Sequence, residues 1–257
     1  MTFDTTKPSV GRIYDYVLGG HHNFEVDRLA AQRILTVFPS YPLWARLNRW
    51  FLQLVAERWG AEGHDRILDL GSGMPTQGHF HTALPNARVL YTDHDAMTIA
   101  YAAQVLQGNP LTGYSQVDLS DTAELIDVAG EFFGSNRRVA IGCIGVAYFI
   151  DDASVAQLMQ TLHRWAAPGS VLACSFVYGD LAQPHTSELL ENYRRNAGSQ
   201  VYLRTQAEME RLCAPWRIRE SQPLAEMLGM DEQIDQDDRE GVGIDMYGML
   251  LEHAGTV

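Results

Sequence analysis

Arg66-Ile67-Leu68-Asp69-Leu70-Gly71-Ser72-Gly73-Met74-Pro75-Thr76 decides how the rest of the chain is read. Its apolar first half is a short strand, and the strand stops at Gly71. Two glycines separated by one residue let a backbone turn sharply and approach a ligand closely. A loop built for a pyrophosphate would place a third glycine three positions on, where the helix opens. Thr76 stands there, preceded by Pro75. The turn therefore argues for a ligand without a diphosphate.

Downstream of this turn, apolar runs recur at residues 88–93, 114–118, 138–146 and 170–178, with two more at 216–223 and 244–252. Helical patterns lie before and between them. Leu43, Leu47, Trp50, Phe51, Leu54 and Val55 repeat at steps of three and four ahead of the first strand, as do Val155, Leu158, Met159, Leu162 and Trp165 between the fourth and fifth. Thr205 with Glu208 has the form of a capping box at a helix start. Alternation of this kind predicts an α/β fold, a parallel sheet covered by helices. A chain of 257 residues fits one such domain. The acidic stretch 226–240 reads as a solvated excursion between the last two strands, with a mobile flap as the alternative.

The ends of the second and third runs carry carboxylates. Asp93 stands 22 residues beyond Gly71, near the roughly 20-residue spacing at which an acid meets a ribose diol. An ionised carboxylate accepts from both hydroxyls. Asp93, His94 and Asp95 could equally cap the next helix; Asp95 suits that task, and Asp93, still on the strand, suits the sugar. Asp118 can accept the exocyclic amine of adenine while Leu119 packs on the ring. A glycine turn, a ribose acid and an adenine acid after three consecutive strands specify an adenosine at the edge where open α/β sheets bind ligands.

Composition narrows the partners. Lys and Arg total 19 against 32 Asp and Glu, a net charge of −13, so a nucleic-acid partner is not expected. Cys143, Cys174 and Cys213 sit in apolar surroundings and read as free thiols of a reducing cytoplasm. No apolar run is long enough to span a membrane, and no basic-then-apolar leader opens the chain. No clustered His/Cys/Glu spacing suggests a metal. Asp151 and Asp152 read more simply as a helix cap than as magnesium ligands.

The segment from Pro8 to Asp27, PSVGRIYDYVLGGHHNFEVD, combines Tyr14, Tyr16, a double glycine, His21, His22 and Asn23-Phe24. Such a composition suits a segment folded over a site, and a plain helix and turn on the sheet edge is the simpler alternative. Together with ARLNRWFL, DLGSGMPT, YTDHD, VDLSD and RRVAIGCIGVAYFIDD, it resembles a bacterial S-adenosyl methyltransferase family long known as a domain of unknown function. The likeness runs from about Pro8 to the last strand.

That resemblance implies a Rossmann-like class I methyltransferase fold, with a seven-stranded sheet whose last strand is antiparallel, and S-adenosylmethionine as cofactor. It places Gly71, Ser72 and Gly73 at the methionyl moiety, Asp93 (with His94) at the ribose, and Asp118 with Leu119 at the adenine. Arg46 and Asn48 match a family Arg-x-Asn that could grip the cofactor carboxylate, a task for a guanidinium fork; a surface salt bridge serves Arg46 equally well. Gly145, ending the fourth run, joins the cofactor set. Residues 1–42 become an N-terminal lid or substrate segment on a single domain. Relatives commonly show Leu-His-Phe where this chain has Ala147-Tyr148-Phe149, which removes a base titrating near neutrality. Candidate bases or orienting groups are Tyr148, His21, His22 and Tyr14, with His79 and His185 more remote. The expectation is a cytoplasmic enzyme moving a methyl group to a small molecule of specialised metabolism, with a homodimer possible. The alternatives are a cyclisation on the same fold, a non-catalytic S-adenosylmethionine-binding partner, and a nucleotide-dependent dehydrogenase disfavoured by Thr76.

Overall fold

The computed structural model describes residues 5–75, 78–182, 184–234 and 243–255. The chain enters through α1 (Val10–Val17), α2 (Glu25–Val37) and α3 (Tyr41–Ala61). Then come β1 (Arg66–Asp69), α4 (Phe80–Ala83), β2 (Arg88–Asp93), α5 (Ala96–Val105), β3 (Thr112–Gln116), α6 (Thr122–Phe133) and β4 (Ala140–Cys143). After β4 lie α7 (Asp152–Trp165), β5 (Val171–Gly179), α8 (Pro184–Ala197), α9 (Gln206–Leu212), β6 (Arg217–Pro223), α10 (Leu224–Met227) and β7 (Ile244–Glu252).

The seven strands form one sheet in the order β3-β2-β1-β4-β5-β7-β6. Pairs among β1 to β5 are parallel, and β7 runs antiparallel between β5 and β6. This is the class I methyltransferase arrangement. Buried side chains alternate between its faces. Ile67, Val89, Tyr91 and Ala140 meet α1, α2, α3, α8 and α10 on one side. Leu68, Leu90, Ile141 and Leu172 meet α6, α7 and α9 on the other. Strand order reverses between β1 and β4, which opens a crevice at their carboxyl ends.

Local chemistry sets the helix starts. Asp95 accepts from Met97 N at 2.9 Å and opens α5. Asp151 accepts from Ser154 N at 3.0 Å and opens α7. Thr205 N donates to Glu208 Oε2 at 2.8 Å while Glu208 N donates to Thr205 Oγ1 at 3.3 Å, a complete capping box on α9. Two strands differ from the expectation. β4 is confined to Ala140–Cys143, because Gly145 takes φ +79° and turns the chain out of the ladder. β3 begins at Thr112, drawn back by its register with Val89, so Asp118 lies in the loop beyond it. Of the acidic stretch 226–240, Glu226 lies in α10 and Asp231 and Glu232 open a single 3-10 turn; residues 235–240 fall outside the described residues, as does Thr76. Among the described residues no helix is long and apolar enough to cross a membrane.

Candidate active site

A cavity of about 1030 Å³ lies over the carboxyl ends of the strands, and the N-terminal segment from Pro8 to His22 contributes to its lining. Gly71, Ser72, Gly73, Asp93, His94, Asp118, Leu119, Asn48, Gly145, Tyr148, Tyr14, His21 and His22 all line it.

The glycine turn is held from three directions. Ser72 N donates to Thr92 O at 2.9 Å, Gly73 N to Asp93 Oδ2 at 2.9 Å, and Tyr114 Oη to Gly73 O at 2.7 Å. Gly71 is required on two counts: its φ is +57°, and a β-carbon there would lie 2.5 Å from Val146 Cγ2. At Gly73 (φ +62°) a β-carbon would meet nothing within 4 Å, so the backbone faces open space. The other Asp93 oxygen accepts from Asp95 N at 2.9 Å. Each carboxylate oxygen thus keeps acceptor capacity toward the cavity. Asp118 is exposed, and its Oδ1 accepts from Ser120 N and Oγ; these bonds hold its pKa below the usual value. Beneath the turn, Asp69 is buried and its pKa is pushed up to about 7 by desolvation, against the pull of Ser72 and the Arg49 charge.

α3 offers the cavity Tyr41, Trp44, Ala45, Asn48, Arg49 and Leu52, a stripe at steps of three and four. Arg46 is exposed and stands outside this stripe. The correction is one of helical phase: residues two apart, such as Arg46 and Asn48, do not share a helix face. Arg49, next to Asn48 and one turn beyond Ala45, is the basic α3 side chain in the cavity. Its Nη1 lies 3.1 Å from His79 Nε2, and its guanidinium sits 5.9 Å from the Tyr14 ring centre. Burial and the Arg49 charge hold the His79 pKa well below its ordinary value, so the ring is neutral and offers Nε2 as acceptor. His79 therefore orients Arg49 from outside the cavity. His185 is exposed on α8 and does not line it.

The remaining candidates are tied into the protein. Tyr14 Oη donates to Ala45 O at 2.8 Å. His22 N donates to Asp15 Oδ2 at 2.8 Å, and the His22 ring meets Tyr101 edge-on at 5.4 Å. Gly20 is obligatory there, because the Asp15 carboxyl occupies the place of a β-carbon, 2.1 Å away at its nearest. Tyr148 ends a relay: Gly145 N donates to Ser175 Oγ at 2.8 Å, Ser175 Oγ to Asn48 Oδ1 at 2.7 Å, and Asn48 Nδ2 to Tyr148 Oη at 3.4 Å. Burial keeps the Tyr148 pKa well above its usual value, so the side chain is a neutral phenol at physiological pH. The turn that carries it is clamped by buried Arg204, which bonds Ala147 O, Ile150 O and Asp152. Sequence reading missed Arg49, Arg204 and Ser175; the helical phase of α3 was the available signal for the first. Among the described residues no three or more His, Cys, Asp or Glu side chains gather as metal ligands.

Comparison with known proteins bears on the family and the fold. Residues 1–220 match the family described as S-adenosyl methyltransferase. Among solved structures, a candidate methyltransferase of Thermobifida fusca is 27% identical, with a TM-score of 0.85 over 98% of this chain and 97% of that one. A DUF574-family protein of Streptomyces avermitilis is 25% identical, with a TM-score of 0.82 over 97% and 98%. Geranyl diphosphate C-methyltransferase of Streptomyces coelicolor, solved with Mg²⁺, geranyl diphosphate and S-adenosyl-L-homocysteine, is 11% identical with a TM-score of 0.52 over 77% and 79%, a likeness of fold alone. No curated protein matches the chain.

Proposed function

Because the chain belongs to the S-adenosyl methyltransferase family, we propose that it moves a methyl group from S-adenosylmethionine to a small-molecule acceptor bound in the same cavity. The cavity carries this reading. Its roughly 1030 Å³ stands at the top of the range of about 300–1,000 Å³ usual for ligand pockets, room for a cofactor and a second small molecule. A compound of specialised metabolism fits such a space. The −13 net charge disfavours a nucleic-acid acceptor.

The residues present suit the cofactor. Asp93 has spare acceptor capacity for a ribose diol, and the open face of Gly73 leaves room for the methionyl chain. Asp118 and Leu119 flank the adenine position. Arg49, not Arg46, takes the carboxylate, and Asp69 the amino group. The carboxylates of Asp15, Asp69, Asp93, Asp95 and Asp118 outnumber Arg49 around the cavity, which favours a cation there. When bound, S-adenosylmethionine supplies a methyl group made electrophilic by its sulfonium. The chain's own part is to orient the acceptor and to keep water out. The N-terminal segment covers the site, and the relay from Gly145 through Ser175 and Asn48 fixes the Tyr148 hydroxyl toward the reacting centre.

Calorimetry with S-adenosylmethionine, S-adenosylhomocysteine and NAD tests the cofactor. Tight NAD binding with no affinity for the sulfonium pair would sink the reading. Transfer of an isotope-labelled methyl group to an acceptor, followed by mass spectrometry, separates methylation from cyclisation or mere binding.

Asp69 adds a pH dependence. Its carboxyl, with a pKa of about 7, must lose its proton to receive an ammonium. Affinity for S-adenosylmethionine should fall by about tenfold for each unit below pH 7, and should fall again at alkaline pH as the ligand's own ammonium loses its proton. Proton release should accompany binding on the acid side, and Asp69→Asn should remove the acid slope. A level affinity from about pH 6 to pH 8 would refute the role.

A further inference from the structure

Charge is confined to one end of the cavity. The carboxylates, Arg49 and the lining histidines come from the N-terminal segment, α3 and the tips of β1, β2 and β3. The opposite end is built by α8, the chain that follows it to Leu203, and the β5–β7 edge. Among the described residues these elements contribute no Asp, Glu, Lys, Arg or His to the lining.

Aromatic rings wall this neutral end. Phe38 stacks on Tyr41 with centres 5.5 Å apart, Tyr41 meets Tyr193 edge-on at 6.2 Å, Tyr193 stacks on Phe149 at 6.0 Å, and Phe149 lies 4.6 Å from Tyr148. Leu189 and Met246 complete the wall. Tyr193 is 6% exposed, and its hydroxyl is buried beside that of Tyr41. Tyr148 accepts from Asn48, which leaves its own proton to donate. Burial raises the pKa values of Tyr41, Tyr148 and Tyr193, so all three are neutral at physiological pH.

We propose that this end takes an uncharged, largely apolar acceptor laid against the aromatic wall, and that it rejects phosphorylated, sulfated or carboxylated molecules. The inference rests on the reading above that the charged end holds the cofactor. An uncharged ring or chain packed against this wall buries apolar surface and leaves no charge unpaired. An anion entering the same space would lose its water and find no cation there. Desolvating an unpaired ion outweighs the gain from burying its rings.

The test uses matched neutral and anionic probes, naphthol with naphthyl phosphate and estradiol with estradiol sulfate. Each is titrated into the full chain saturated with S-adenosylhomocysteine and followed by fluorescence and calorimetry. The neutral member of each pair should bind about a hundredfold more tightly or better. Leu190→Trp, which fills the chamber from its half-buried lining position, should block the neutral probes. It should leave affinity for S-adenosylhomocysteine unchanged. Equal or tighter binding of the anions, binding of no probe, or neutral binding indifferent to the substitution would each overturn the proposal. Failure of S-adenosylhomocysteine itself to bind would instead count against the proposed function, and the same titrations without it would still decide the chamber's preference.

Discussion

Asp93→Ala is expected to weaken S-adenosylmethionine binding by about a hundredfold while leaving the chain folded. A ribose diol gives a carboxylate two charge-assisted hydrogen bonds, each worth about 1.5–3 kcal/mol, and 1.4 kcal/mol is tenfold in affinity. Part of that loss is recovered when water fills the space. A second contribution comes from the protein. Asp93 also receives Gly73 N and Asp95 N, so the alanine variant frees the glycine turn before the ligand arrives. Asp93→Asn removes the charge and half of the acceptor set: its amide nitrogen faces either Gly73 N or Asp95 N and can accept from neither that amide nor a diol hydroxyl, and about tenfold is expected. Calorimetry measures both variants. Affinity equal to the unmodified chain in Asp93→Ala would remove the ribose assignment.

The turn after β1, the acid at the end of β2 and the caps at Asp95 and Thr205 were legible because each depends on residues close in sequence. Apolar runs bounded by Gly or Asp located the parallel strands for the same reason. Boundaries went astray where tertiary pairing decides them: β3 starts at Thr112 through its register with β2, and Ile144 and Val146 are apolar because they pack beyond the end of β4. The cavity lining was legible along the carboxyl ends of β1, β2 and β3, where motif and topology coincide. Arg49 was hidden by attention to a spacing of two instead of the phase of its helix. The relay from Gly145 to Tyr148 was not legible, since Asn48 and Ser175 are 127 residues apart and neither has a local partner that marks it. The neutral chamber is of the same kind, with rings from the end of α2, from α3, from the turn after β4 and from α8.

Arg12→Ala is expected to destabilise the protein by about 3–5 kcal/mol, because it strands a carboxylate in the interior. The Arg12 and Asp27 side chains are 4% and 0% exposed, with Nε and Oδ2 2.7 Å apart. Asp27 also accepts from Phe24 N at 2.8 Å and from Ser9 N at 3.0 Å, so it fixes the start of α2 and the entry to α1 at once. Arg12 spends its other nitrogens on Lys7 O and toward Asp95, 3.6 Å away, and Ser9 Oγ donates to the same Asp95 carboxyl at 3.0 Å. The segment that we propose closes over the cofactor is therefore anchored to the loop after β2 by one buried cation and one hydroxyl. A fall in Tm of roughly 10 °C should accompany the substitution, with earlier proteolysis before Glu25. The double variant Arg12→Met, Asp27→Asn discriminates the cause. An asparagine oxygen still accepts from one of the two backbone amides, and no fully buried charge is left without a partner, so about half the stability should return. If the double variant is as unstable as Arg12→Ala, the loss lies in packing around Phe24, over whose ring the guanidinium sits at 5.4 Å, and not in the stranded charge.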